Sequence, residues 1–299
     1  MSQLTMPGAD RIAEIGWLKA NQWLILRRAS QLSILGIFLL GPLAGIWIVK
    51  GNLVSSLTMN FLPLTDPYVL LQSLFAGHVM QSTAIIGALI VLVFYFLIGG
   101  RVYCSWVCPI NIVTDASSWL RRKLAIKGQG VRFGAHTGNW IFVMTLFMAF
   151  ISGSIAWELV NPVSMVYRGI LFGMGSAWLI LIAIFLFDLF VSRRGWCTHL
   201  CPVGVFYGLL ASKSLLRIAA KNRDKCNDCM DCFAVCPEPQ VIKPALKKLS
   251  EDQSPIIQSG RCTNCARCID VCNQKVFSFT TRINKQNHMY LNQHKETLS

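Results

Sequence analysis

Two runs of four cysteines, CNDCMDCFAVC at 226–236 and CTNCARCIDVC at 262–272, repeat the spacing Cys-x2-Cys-x2-Cys-x3-Cys. Three thiolates at this spacing on a tight loop reach three irons of one cubane, while the fourth starts a helical turn and points to the neighbouring cluster. The spacing therefore predicts one [4Fe-4S] cluster on Cys226, Cys229, Cys232 and Cys272, and a second on Cys262, Cys265, Cys268 and Cys236. Zinc also takes four thiolates, but its sites usually present cysteines in pairs parted by a longer loop. Asn273 stands where the second run lacks the proline that follows the first; that proline shapes backbone and binds nothing. The polar, proline-punctuated insert 237–261 reads as a surface loop.

The rest of the chain is apolar. Of 299 residues 54% are hydrophobic and only 14% charged, far from the balance of a soluble globular domain. Stretches free of Asp, Glu, Lys and Arg at 29–49, 79–100, 137–157 and 169–187 have about the 20 residues that a hydrocarbon core demands. The expected fold class is an all-α polytopic membrane protein, four transmembrane helices as two parallel-repeat hairpins, with a C-terminal α+β two-[4Fe-4S] ferredoxin domain. The expected boundaries are an amphipathic leader at 1–28, a membrane domain at 29–220 whose last span extends to 191, the ferredoxin-like domain at 221–282, and a polar tail at 283–299. Ile12, Ile15, Leu18 and Trp23 suit a leader helix lying on the inner leaflet, and an ordinary solvated leader suits them as well.

Arginine and lysine concentrate before the first stretch and between the second and third. The positive-inside rule then predicts both termini, the ferredoxin domain and the loop between the second and third stretches on the cytoplasmic side, with the two loops poor in Lys and Arg facing out. The net charge of +14 is mostly topological on this reading. No basic element interleaved with aromatics accompanies it, which argues against a nucleic-acid partner. All twelve cysteines fall in cytoplasmic segments, where thiols stay reduced and metal or redox chemistry is the default.

Four cysteines lie outside the tetrads. CSWVCP carries Cys104 and Cys108, and CTHLCP carries Cys197 and Cys201, each after an apolar stretch and before a helix-like one. Cys-x3-Cys-Pro is also how the first tetrad ends, from Cys232 to Pro237. The two half-motifs suit one four-thiolate site for a further cluster or metal, a thiol–disulfide pair exchanging electrons with quinone, or a structural or partner-docking role.

A membrane domain next to redox centres suits a lipid-soluble quinol as electron source, and quinol oxidation releases protons that need acceptors. Ionisable groups within or bordering a membrane are functional candidates by default. Candidates for a quinol site are His78, Gln81, Asp66 and Glu158. Asp188 has a plainer role available, an ion pair with Arg193 or Arg194.

PLTDP, CSWVCP, WELVNPVS, GWCTHLCPVG and KCNDCMDCFAVCPEP together resemble the NapH-type ferredoxin-like membrane subunits of periplasmic nitrate reductase systems, over nearly the full chain. The resemblance implies a quinol dehydrogenase component located in the bacterial inner membrane. Its implied partners are a periplasmic ferredoxin-type iron-sulfur protein, a membrane-anchored multihaem c-type cytochrome and, indirectly, the periplasmic nitrate reductase. A redox sensor or assembly factor for such a reductase is the alternative.

Overall fold

A computed structural model describes residues 6–126, 130, 131, 133, 134, 136–173, 175, 177–247 and 254–283. The expected tail, except for its first residue, and positions 248–253 of the insert lie outside the described residues.

The chain opens with helices α1 (Ala9–Ile15), α2 (Trp17–Ala20) and α3 (Gln22–Ala44). Strands β1 (Val49–Gly51), β2 (Ser55–Thr58) and β3 (Leu62–Thr65) form an antiparallel sheet in that order, with Leu57 opposite Lys50 on one side and Pro63 on the other. Helices α4 (Pro67–Phe75) and α5 (Ser82–Ile98) follow, then a π turn at Tyr103–Val107 and α6 (Ile110–Lys123). The second half repeats this order with α7 (Thr137–Ser152), α8 (Pro162–Phe172), α9 (Ala177–Leu186), a π turn at Trp196–Leu200 and α10 (Pro202–Ala211). The last segment contains β4 (Leu216–Ala220), α11 (Asp231–Val235), α12 (Ile242–Leu246), α13 (Arg267–Val271) and β5 (Phe277–Thr281).

The expected fold class is corrected on two counts. Among the described residues only α3 is long and apolar enough to cross a membrane; the other apolar helices, Ser82–Ile98, Thr137–Ser152, Ala177–Val191 and Pro202–Ala211, have 10–17 residues. At 1.5 Å per residue even 17 residues reach only about 26 Å of the roughly 30 Å required. Apolar composition alone overcounted, because glycines end the helices inside uncharged runs. Gly153 is left-handed (φ 59°) and stops α7, while Gly173 (φ 97°) stops α8 and parts it from α9, so the expected fourth span is two helices. Nor is the part before the ferredoxin-like domain all-α, since the three-stranded sheet at 49–65 lies within it.

Two compact units are present. The first comprises 1–28, 95–105 and 208–299, and the second 29–94 and 106–207. The core of the first joins Ile218, Val235, Ile242, Val271, Val276 and Phe277 with tetrad cysteines. β4 and β5 pair antiparallel from Leu216↔Thr281 to Ala220↔Phe277 and close this unit. The insert is not simply a surface loop: Val241, Ile242, Ala245 and Leu246 follow helical spacing and are buried in that core.

In the second unit two short helices share one device. Asp66 caps α4 by accepting from Tyr68 N at 3.0 Å, and Asn161 caps α8 by accepting from Val163 N at 3.1 Å, each followed by proline at the first helical position. The flanks of α5, α7 and α9 present Ile86, Leu89, Phe94, Phe147, Phe150 and Trp178 outward as exposed large apolar side chains.

Candidate metal centre

The tetrads fold as near copies. In the first, Asp228 and Met230 take left-handed φ of 57° and 65° on either side of Cys229; in the second, Asn264 (48°) and Ala266 (57°) flank Cys265. These reversals coil each loop around one interior point. α11 and α13 then start, carrying Cys232 and Cys268 in their first turn, and both end at an extended residue, Cys236 or Cys272. Helix followed by extended backbone throws the fourth cysteine across to the other loop.

Two hollows result, each of about 360 Å³ of atom-free space and open in part to solvent. Cys226, Cys229, Cys232 and Cys272 line one, and Cys262, Cys265, Cys268 and Cys236 line the other. All twelve cysteines are free of disulfides. Among the described residues no three His, Cys, Asp or Glu side chains close on a single metal ion.

The donor chemistry fits a polynuclear cation. Burial pushes the Cys232 thiol up to about 12 and Cys262 to about 11, and raises Cys268 well above the ordinary thiol range. Thiolates held there carry a desolvation penalty that metal charge at the centre offsets. Val276 N donates to Cys272 Sγ at 3.4 Å, the kind of N–H···S bond that tunes a cluster.

Several residues that spacing did not single out hold this unit together. Asp270, 1% exposed, accepts from Trp23 N at 3.2 Å and Leu24 N at 3.0 Å, and so caps α3 from the far end of the chain. Arg11 donates to Cys272 O at 2.8 Å and Gly8 N to Asp231 Oδ2 at 2.9 Å, which ties the leader helices to both tetrads' helices. Segment 95–105, which carries Cys104, is fastened to the second tetrad: Ser105 Oγ donates to Thr263 O at 2.8 Å, and Arg101 to Arg261 O at 3.1 Å. Gly99 (φ 118°) lets Asn264 reach Ile98 O, and a Cβ there would lie 2.5 Å from Asn264 Nδ2. Gly99→Ala is expected to cost about 2 kcal/mol from backbone strain alone, read as a lowered Cm in chemical denaturation.

Cys104 belongs to the first unit; Cys108, Cys197 and Cys201 belong to the second, and all four are half-buried. Ile110, Val163, Val166 and Ile184 form a small core on which Cys108 and Trp196 pack. Asp188 lies within charge interaction of Arg194, as expected, although the direct ion pair of Arg194 is with Asp115; Asp188 also accepts from Trp196 N at 3.0 Å and so fixes the start of the turn that carries Cys197.

Of the other site candidates, Asp66 and Glu158 are close enough for their charges to interact, whereas His78 and Gln81 are exposed beyond the opposite end of α4. Asp66 accepts from the buried Tyr207 hydroxyl at 3.3 Å, and burial lifts its carboxyl to about 6. Glu158 accepts from Asn161 Nδ2 at 3.1 Å and pairs with Arg168 at 3.7 Å. Gln72, fully buried, accepts from Trp157 N at 3.1 Å, leaving Gln72 Nε2 and Trp157 Nε1 as buried donors without partners. Tyr207, Gln72 and Trp157 were illegible in the sequence because each sits in an apolar run that reads as packing.

Two four-cysteine hollows on mirrored loops define an iron-sulfur protein of the ferredoxin type. A 4Fe-4S binding domain model matches residues 82–127 and again 174–221, so that each Cys-x3-Cys-Pro motif lies in one copy, and another 4Fe-4S binding domain model matches 218–242. The chain is 51% identical over 281 residues to the methylamine utilization ferredoxin-type protein MauN of Paracoccus denitrificans, covering 94% of this chain and 98% of that one. It is 48% identical over 282 residues to MauN of Methylorubrum extorquens, with 94% and 97% covered. It is 46% identical over 277 residues to the ferredoxin-type protein NapH of Escherichia coli, with 92% and 95% covered. The chain belongs to this NapH and MauN family of ferredoxin-type proteins. No solved structure matches it.

Proposed function

We propose that the chain is a membrane-attached quinol dehydrogenase component that passes electrons from the quinol pool towards periplasmic redox partners. The observation that carries this reading is the pair of four-cysteine hollows within a chain whose second unit is clothed in outward apolar side chains. The first hollow holds one [4Fe-4S] cluster on Cys226, Cys229, Cys232 and Cys272, and the second holds another on Cys262, Cys265, Cys268 and Cys236. Such clusters supply single-electron transfer at potentials tuned by hydrogen bonds and exposure. The matches of a 4Fe-4S model across both Cys-x3-Cys-Pro motifs favour iron-sulfur chemistry over a thiol pair for these motifs. The protein resides in the bacterial inner membrane, with the ferredoxin end in the reducing cytoplasm.

Quinol oxidation needs a base beside the substrate. Asp66, capping α4 with a carboxyl poised near 6, takes a proton, and the Tyr207 hydroxyl orients it. Glu158 is the second acceptor, and Gln72 Nε2 and Trp157 Nε1 offer donors to a quinone oxygen. The partners expected by resemblance are a periplasmic ferredoxin-type protein, a multihaem cytochrome and the nitrate reductase. The methylamine utilization relatives at 51% and 48% identity favour a second reading, in which the same electron carrier serves methylamine metabolism.

Anaerobic mixing of the loaded protein with a soluble quinol analogue is expected to bleach the cluster absorbance. No bleaching, even with partner proteins present, overturns the quinol reading. Cys104→Ser with Cys108→Ser separates electron transfer from assembly: lost quinol-dependent flux onto a correctly matured reductase supports the first, an immature reductase the second.

Asp66 also sets a pH dependence. Its pKa is raised on folding, so the protonated form is favoured in the fold; this stabilises the protein at low pH and is lost as pH rises from about 4 to about 6. Asp66→Asn is expected to flatten the melting temperature across that window.

A further inference from the structure

The two cages differ in charge. Among the described residues no Lys or Arg lines the first, whose wall includes Asp228 and Asp231, while Arg261, Arg267 and Glu238 line the second. Two further guanidiniums lie behind the second cage, Arg101 (4% exposed) and Arg217 (1% exposed), and both act on Cys262, offsetting part of the cost of burying it as a thiolate. Arg101 pairs with Glu238 at 3.4 Å. Arg217 Nη1 donates to Ser259 O at 3.2 Å, whereas its Nε and Nη2 are buried without partners. A buried arginine with two unmatched donors beside four thiols is costly in an apolar interior, unless a strongly anionic group stands next to it.

An all-cysteine [4Fe-4S] centre is such a group, and gains one negative charge on reduction. Buried cations favour the more negative state, the more so because the local dielectric is low. Burial of Cys265 and Cys268 works against the added electron, and Arg101 with Arg217 offsets that penalty. On the first side Arg11 donates to Cys272 O, and the lining carboxylate Asp228 is paired with the part-exposed Lys247 at 3.0 Å, a cation that solvent screens more than a buried guanidinium.

We infer that Arg101 and Arg217 make the second cage the electron-holding end of the ferredoxin module, its cluster reduced at a higher potential than the cluster of the first cage. This rests on the two-cluster assignment above. One electron from a one-electron reductant such as dithionite reduces the second-cage cluster while the first stays oxidised; no bond breaks and no proton moves. The preferred cage is also the one to which the segment bearing Cys104 is fastened, through Ser105 and Arg101.

The test is an anaerobic redox titration of the full-length protein followed by electron paramagnetic resonance, with iron and sulfide counted on every sample. Cys229→Ser, at the exposed ligand, marks the first cage by altering its signal. Two separate reduction steps are expected in the wild type. Arg217→Met lowers the upper step and leaves the lower one in place; Arg217→Lys recovers most of the shift, and Arg11→Met moves only the lower step. Arg101→Gln gives the same reading from the other guanidinium if Arg217→Met loses iron. An upper step that belongs to the first cage, or one unmoved by Arg217→Met and Arg101→Gln at full iron content, overturns the inference. Samples that never load two clusters contradict the underlying assignment instead.

Discussion

Cys272→Ala is expected to remove iron and sulfide from the first cage, about four of each per chain, although Cys272 belongs to the second tetrad in sequence. Cys272 lines the hollow of Cys226, Cys229 and Cys232 because α13 ends on extended backbone there. Cys236→Ala, in the first tetrad, is expected to empty the second cage by the same crossing. Resonance spectra of the two variants then show complementary losses. A loss that follows sequence order, with Cys272→Ala affecting the cage of Cys262, contradicts the crossed arrangement. The effect is large because a site with three thiols left has one uncompensated position on the cluster.

Asp270→Ala is expected to be the most destabilising single change outside the cysteines, about 3–5 kcal/mol from breaking a buried ion pair. The carboxylate is 1% exposed, pairs with Arg267 at 3.2 Å and receives the first-turn amides of α3. Its removal leaves the Arg267 guanidinium with Asn21 Oδ1 at 3.2 Å and no counter-charge there, and opens the start of the helix best fitted to cross a membrane. Asp270→Asn, which keeps the acceptor and loses the charge, is expected to fall between wild type and alanine. Denaturant titration with anaerobic handling reads both; an alanine variant within 1 kcal/mol of wild type contradicts the role given to Asp270.

The ferredoxin module was legible in the sequence because cysteine spacing encodes geometry directly. Each Cys-x2-Cys-x2-Cys loop needs two left-handed turns, and Asp228, Met230, Asn264 and Ala266 supply them. The apolar part was less legible. Absence of charge identified hydrophobic segments but not their helical length, which Gly153 and Gly173 cut short, nor the sheet at 49–65 built from threonine, serine and leucine. Long-range ties were invisible, since Asp270 to Trp23 and Tyr207 to Asp66 join residues far apart in the chain. The Asx-Pro caps at Asp66 and Asn161 carried a local signal, an Asp or Asn before proline ahead of an apolar run, and reading it would have located both short helices.

The most direct measurement is a count of iron, acid-labile sulfide and zinc on the anaerobically purified full-length chain. At least about eight irons with matching sulfide, the content of two [4Fe-4S] clusters, is the expected result. Zinc bound with no labile sulfide would contradict it.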